Sequence, residues 1–485
     1  MHIFFVCDMI KLYHNHKRKG ENTMKRIMAL LLATVMIFTF VACSGGGNGE
    51  DKSTPTPAPG TDATPTGAEV DYTEGGKYLN FPGANGDDNL KLPALQFTSN
   101  EFTLLTHDAP AEFEIDRFVA LRDAYGLTRN VIVVAASDRV TKFVASVMGG
   151  ESPDMFNYAF LPSLINKGYC APWDDYVDFS LGLWDELRAS MENVKFKGHY
   201  YTIGTQASRW NSLIYYNTEI FDELALKTPK EYYDEGDWNW NTMRELARQA
   251  TVDADGDGSP EIYGFACGAT PGFYYSAGKA LVEFSDEGAV NNMKSAEVAR
   301  AMQFYTDLVV NDGSTLYGSD FRKEFGAGQI AMYCAAGWYC FSWGDMMLNQ
   351  TVELVPFPKD PESDVYYVHE GFGSYVMGAN SANPYGAAAQ IYSTLYDKYN
   401  TQEEIEKTSE ERIEEGGWSN EIDDMIMTMC YSEDKVPVLT TWEIFELGEF
   451  WGDIWFGPHL GEPWSVIAEE VAPQIDEKIR LAFEE

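Results

Sequence analysis

Basic residues are scarce in this chain of 485 residues: 35 Lys and Arg stand against 75 Asp and Glu, a formal net charge of −40. So anionic a surface repels phosphate, and no basic patch interrupts the body of the chain, so a nucleic-acid partner or an anionic membrane face is excluded. Cysteine is sparse as well. The 7 copies contain no CxxC pair, which excludes a zinc framework and a dense disulfide scaffold and leaves Cys170, Cys267, Cys334, Cys340 and Cys430 as buried thiols. The apolar run at residues 27–41 has 15 residues, short of the ~20 that a membrane-spanning helix requires. A nucleophile elbow, a zincin pair, a Walker loop and a His-led triad are all missing. Disorder is excluded in turn, because 45% of the residues are hydrophobic, and at roughly 100–200 residues per domain the length predicts two or three domains.

What is present begins with an address. Lys25 and Arg26 precede the apolar run, and Ala42-Cys43 is followed by Ser44-Gly45-Gly46-Gly47, the charge, apolar, small-residue order of a secretory signal. Met24 is read as the true start and residues 1–23 as upstream sequence. A cysteine directly after the cleavage position resembles the lipobox of bacterial lipoproteins, with Phe40 where that motif usually has Leu; Cys43 is the expected lipidation site. The alternative is a soluble secreted protein with an incidental cysteine. Residues 44–71, rich in Gly, Ser, Thr and Pro, read as a flexible tether.

The body alternates strands and helices. Residues 102–106 read as a strand, 113–125 as a helix, and 131–134 as an apolar strand buried on both faces. Asp138 is placed to cap a helix whose core stripe is Val140, Phe143, Val144, Val147 and Met148, ended by Gly149-Gly150. A short strand follows at Met155-Phe156. This order predicts α/β architecture with a parallel sheet, and it puts ligand-contacting residues beyond the strand ends, near His107, Asp108, Asn157 and Tyr158. The pattern continues with strands at 213–216, 351–355 and 374–377 and helices at 219–224, 242–250 and 385–396. Residues 403–435 carry 12 acidic and 3 basic residues, the signature of a solvated helical face.

Seven stretches resemble, in order, the extracellular solute-binding proteins of ABC importers, the large sugar-binding family: Gly149 to Asp154; Gly168-Tyr169 with Pro172 to Tyr176; Gly198 to Tyr201; Tyr215 to Phe221; Trp238-Asn239-Trp240; Phe325 to Met332; and Pro356-Phe357-Pro358. The resemblance implies two α/β lobes with hinge strands, a type II periplasmic-binding-protein-like fold. One lobe is expected from residues 72–210 plus 363–435, the other from 211–362 plus 436–485, with crossings near 210–217, 355–367 and 436–441. It implies a lipid-anchored monomer that captures a small solute, a sugar or oligosaccharide, in the interlobe cleft and passes it to ABC permease subunits, with no catalytic residue. Sugar recognition needs flat aromatics for stacking and polar edges for hydrogen bonds. By resemblance Trp338 comes first as the cleft aromatic, and Arg209, Trp210 and Asn211 supply polar contacts. Tyr274, Tyr275, Tyr339 and Glu370 complete the expected set. Trp173, Trp238 and Trp240 read as scaffold.

Asp253, Asp255, Asp257, Ser259 and Glu261 follow positions 1, 3, 5, 7 and 9 of an EF-hand-type loop, with Gly258 at position 6 and Gly264 in place of the terminal Glu. Carboxylates so close repel one another unless a cation sits among them, so a structural Ca2+ site is expected, with an unoccupied acidic turn as the alternative. Two rival functions stay open: a secreted carbohydrate-active hydrolase using paired carboxylates, and a sensor or adhesin lipoprotein on the same fold.

Overall fold

Apolar alternation that tightens into continuous burial makes Glu101–Thr106 a strand, β1. The computed structural model describes residues 95, 97–107, 126–158, 162–185, 187–267, 272–285, 288–317, 321–337, 352–396, 420–439, 447–450 and 452–484, all of them in one compact unit, Glu69–Glu485. Cys43 with the leader and tether, the expected helix at 113–125, Asp108, Trp338, Tyr339, Cys340 and residues 403–419 lie outside the described residues.

In chain order the further strands are β2 (Thr128–Val133), β3 (Met155–Asn157), β4 (Cys170–Ala171), β5 (Thr202–Ser208), β6 (Leu213–Asn217), β7 (Tyr263–Cys267), β8 (Val282–Ser285), β9 (Gly288–Asn291), β10 (Thr315–Tyr317), β11 (Ile330–Ala335), β12 (Val352–Pro356), β13 (Tyr366–Gly378) and β14 (Lys435–Leu439). They build a seven-stranded sheet, a five-stranded sheet and the hairpin β8–β9. In the first sheet β14, β13, β3, β1 and β2 lie side by side, and β4 and β5 also pair with β13. The second runs β10-β7-β11-β6-β12. The chain is α/β, but neither sheet is purely parallel. β1 is parallel to β2 and β3, and β7 to β10 and β11. β13 runs against β3 and β5, and β6 against β11 and β12. The reversed strands adjoin the places where the chain passes from one sheet to the other, after Ser208 into β6 and between Pro356 and β13.

Three local expectations are corrected. Residues 131–134 are not buried on both faces: β2 is the edge of its sheet, with Ile132 37% and Val133 50% exposed. The helix Arg139–Met148 buries Phe143 and Val147, whereas Met148 is 71% exposed at its end. Asp138 precedes that helix without capping it; its Oδ1 accepts from Ser137 Oγ at 3.2 Å instead. Real caps stand elsewhere. Asn217 accepts from the Glu219 N–H, and Thr228 and Glu231 form a reciprocal capping box.

The cores follow the sheets. Trp173 and Trp184 are buried with Tyr392 under the first, and Trp238 and Trp240 under the second, where Trp240 stacks on Phe304 at 5.0 Å. The helix Ala296–Thr306 buries Val298, Ala301, Met302 and Tyr305, and Leu308 and Val309 continue the stripe. Cys170, Cys267, Cys334 and Cys430 are buried, and burial pushes the Cys430 thiol up to about 12. No helix among the described residues is long and apolar enough to cross a membrane.

The β12–β13 connection is tied down by charge. Asp360 is buried; its Oδ2 accepts from Arg300 Nη2 at 2.6 Å and Nε at 3.1 Å, and its Oδ1 accepts from the Glu362 N–H at 2.9 Å. Asp360→Ala leaves Arg300 without that partner. Because Arg300 is part-exposed, the expected loss in urea unfolding is about 3 kcal/mol, the lower end for a broken buried pair; a loss under about 1 kcal/mol contradicts this reading.

Candidate functional site

In open α/β sheets ligand groups gather beyond the carboxyl ends of the parallel strands. In the first sheet those ends carry His107 after β1 and Asn157 and Tyr158 at β3. A residue that sequence reasoning passed over joins them. Arg139, buried at the first turn of its helix, places its guanidinium 4.4 Å from the Tyr158 ring centre and Nη1 3.1 Å from His107 Nδ1, while Nε donates to the Ala136 carbonyl at 3.2 Å. Tyr158 continues a stack through Phe156 at 5.3 Å to Phe143 at 4.5 Å, so the ring is fixed from beneath. Ser374 Oγ donates to the Tyr158 carbonyl at 2.8 Å, and Asn157 Nδ2 reaches the Ser374 carbonyl at 3.4 Å.

The β5–β6 crossing carries the next group. Arg209 Nε donates to Glu370 Oε2 at 3.0 Å, and Glu370 Oε1 accepts from Ser190 Oγ at 2.5 Å. The Arg209 N–H donates to Tyr431 Oη at 3.0 Å, and that hydroxyl donates to the Ala207 carbonyl at 3.0 Å. Burial pushes the Tyr431 phenol up to about 12. The Trp210 carbonyl accepts from the Gly337 N–H at 2.7 Å, and its ring stands so close that a Cβ on Gly337 would lie 3.0 Å from it. Asn211 Nδ2 donates to the Ser208 carbonyl at 2.9 Å and leans on Gly371, where a Cβ would fall 2.1 Å from it. Arg209, Trp210, Asn211 and Glu370 therefore meet, as two strands that bracket them require. Glu370 is corrected in one respect: at 1% exposure it faces inward and holds Arg209.

Tyr274 and Tyr275 are corrected more fully. Pro271-Gly272 reads as a turn leading to open aromatics, but Gly272–Ser276 winds into a helical turn with all five residues buried. Tyr275 stacks on His369 at 3.9 Å between ring centres, and His369 Nδ1 lies 2.8 Å from Ser212 Oγ. The two tyrosines are core beside the crossing, and desolvation holds the Tyr274 phenol well above its usual value.

The acidic loop closes on itself. Asp253, Asp255 and Asp257 each offer a carboxylate oxygen, all within 4.8 Å of one another. Asp253 accepts from the Gly256 and Gly258 N–H groups, Asp255 from Asp257 N–H, Asp257 from Ser259 N–H, and Glu261 from Ala254 N–H. Gly256 and Gly258 take φ of 75° and 88°, which the tight turn needs. The donor set is hard oxygen throughout and fits a divalent cation such as Ca2+. A cavity of about 450 Å3 lies elsewhere, lined by Tyr233, Trp238, Lys359, Asp364, Tyr366 and Lys435 among others. It touches none of the expected contact residues and sits at the amino ends of β13 and β14, away from the strand ends where α/β sheets bind.

Two α/β sheets traversed by crossing segments define a two-lobed binding protein of the periplasmic type. The profile described as bacterial extracellular solute-binding protein matches residues 116–410, and the chain belongs to that family, whose members bind solutes and are not enzymes. No curated protein matches the chain. Among solved structures, the ABC substrate-binding protein Lmo0181 from Listeria monocytogenes, in complex with cycloalternan, shares 18% identity at a TM-score of 0.57, covering 78% of this chain and 98% of its own. The maltose/maltodextrin-binding domain MalE from Bdellovibrio bacteriovorus, bound to maltotriose, shares 16% at 0.54, covering 78% and 100%. UgpB from Mycobacterium tuberculosis, in complex with glycerophosphocholine, shares 14% at 0.55, covering 78% and 98%. These likenesses define the fold.

Desolvation pushes His369 down to about 3, only partly opposed by a hydrogen bond with the Asn211 backbone. Between about pH 3 and 6.5 the unfolded chain then binds a proton that the folded chain refuses, so stability falls as pH drops through that window. His369→Gln should remove about 2 kcal/mol of the loss between pH 7 and pH 5 in urea unfolding; an unchanged pH slope contradicts the burial of a neutral imidazole.

Proposed function

We propose that the chain is the solute-capturing component of an ABC importer, lipid-anchored through Cys43 to the outer face of the membrane, taking a sugar or oligosaccharide between its two lobes and delivering it to the permease. The observation that carries the reading is an arginine fixed beside an aromatic ring at each candidate position: Arg139 over Tyr158 at the end of β3, and Arg209 over Tyr431 at the β5–β6 crossing, where the next residue, Trp210, packs its ring against Gly337. Sugars present apolar ring faces and hydroxyl rims, and this combination serves both. Lmo0181, in complex with cycloalternan, and MalE, bound to maltotriose, share the fold. The lobes are read as 72–210 plus 363–435 and 211–362 plus 436–485, with crossings near 210–217, 355–367 and 436–441; the change of sheet after Ser208 and after Pro356 supports the first two, and the protein is read as a monomer on its tether. A sensor or adhesin lipoprotein would share the site but have no permease partner, which a pull-down separates.

The acidic loop is proposed as a structural Ca2+ site with Asp253, Asp255 and Asp257 as its core and Ser259 and Glu261 at its edge. Calcium should raise the melting temperature of the parent, and Asp255→Ala should abolish that rise. An identical melt with and without calcium contradicts the site.

For the main reading, differential scanning fluorimetry against neutral oligosaccharides, followed by product analysis of the mixtures, should show stabilisation with no cleavage. Tyr158→Ala, which removes the ring that holds the Arg139 guanidinium, should weaken the stabilising sugar by about tenfold. Turnover of the sugar contradicts the reading.

A further inference from the structure

The side chain of Glu370 is 2% exposed and that of Arg209 23%. The carboxylate is held from water between Ser190 Oγ and Arg209 Nε. The guanidinium is fixed on a second side, with its backbone N–H on Tyr431 Oη and Cζ 5.5 Å from the Tyr431 ring centre. With Nε spent on Glu370, the edge left for a ligand is Nη1 and Nη2, two coplanar donor groups for which no partner occurs among the described residues. An arginine alone would attract a carboxylate. A buried carboxylate 3.0 Å from it offsets the charge and leaves the outer donors in place.

Resting on the sugar-binding reading above, we infer that buried Glu370 sets the ligand class at Arg209: the pair receives neighbouring hydroxyls of an uncharged sugar and discriminates against a uronate. Glu370 is a positioning residue, acting through Arg209 and touching no sugar. The net charge of −40 acts in the same direction, though screened over distances beyond about 10 Å. Ser190, on the helix Arg188–Glu192, completes the clamp by fixing the other carboxylate oxygen.

The test is isothermal titration calorimetry of the whole mature chain with glucose, mannose, galactose and their trioses, and with the matching uronates and their trimers. The parent should bind at least one neutral sugar and bind the matching uronate at least about tenfold more weakly. Glu370→Gln keeps the shape, with Oε1 toward Arg209 and Nε2 toward Ser190, and exposes the cation; the neutral-to-uronate ratio should fall by about tenfold. Arg209→Lys keeps the ion pair but loses the fork. It should weaken neutral sugars about tenfold while leaving the ratio unchanged, and it serves as the readout where Glu370→Gln melts. A parent that prefers the uronate, a folded Glu370→Gln with an unmoved ratio, or Arg209→Lys with parental affinity overturns the inference and leaves the sugar reading standing. Binding of none of these sugars overturns the sugar reading itself, and the inference with it.

Discussion

Glu370 and Arg209 meet where the chain passes between its sheets, and four segments distant in sequence depend on that contact. Ser190 comes from a helix over the first sheet, Arg209 from the end of β5, Glu370 from the middle of β13, and Tyr431 from the end of the helix Asn420–Cys430. A buried carboxylate without its arginine costs several kcal/mol, so each of these segments is held in one arrangement. β13 carries the constraint in both directions. Its first half pairs with β14 and its second with β5, and His369, one residue before Glu370, stacks on Tyr275 from the second sheet's side.

A receptor has to hold contacts still on either side of a joint without doing chemistry on what it holds. On the proposed reading, the stack Phe143–Phe156–Tyr158 with Arg139 above it fixes one set of contacts. On the same reading the Arg209–Glu370 pair fixes another. Both arginines spend part of their donor set inside the protein, which reduces the side-chain entropy lost when a ligand binds. Glycines keep the crossing narrow: Gly337 admits the Trp210 ring, and Gly371 admits the Asn211 amide. The C-terminal helix Trp464–Phe483 adds a contact remote from these, with Asn166 Nδ2 on the Ala482 carbonyl and Phe483 against Phe196.

Much of this was legible in the sequence, because burial periodicity is a local signal. β1, β6 and the helix Trp240–Gln249 sit where apolar spacing places them. A run such as Val131–Val134 reads as doubly buried whether it lies inside a sheet or at its edge, and only the strand order decides. Tyr274 and Tyr275 follow a Pro-Gly pair that signals a turn, and the turn happens to wind inward under β13. Arg139, Ser190 and Tyr431 carried no signal at all. Arg139 is a lone arginine at a helix start, and Ser190 and Tyr431 meet their partners 180 and 222 residues away. The seven family-like stretches gave the fold because they mark turns and strand ends, and they could not give the clamp that joins them.

The most direct test is a crystal structure of the protein grown with the neutral sugar that binds it tightest. The account predicts an intact sugar bridging the two sheets, with hydroxyls on the outer nitrogens of Arg209, a ring face on Trp210, and Glu370 still turned inward on Ser190. A sugar seated instead in the cavity beside Trp238 and Lys359, or cleaved in place, would contradict it.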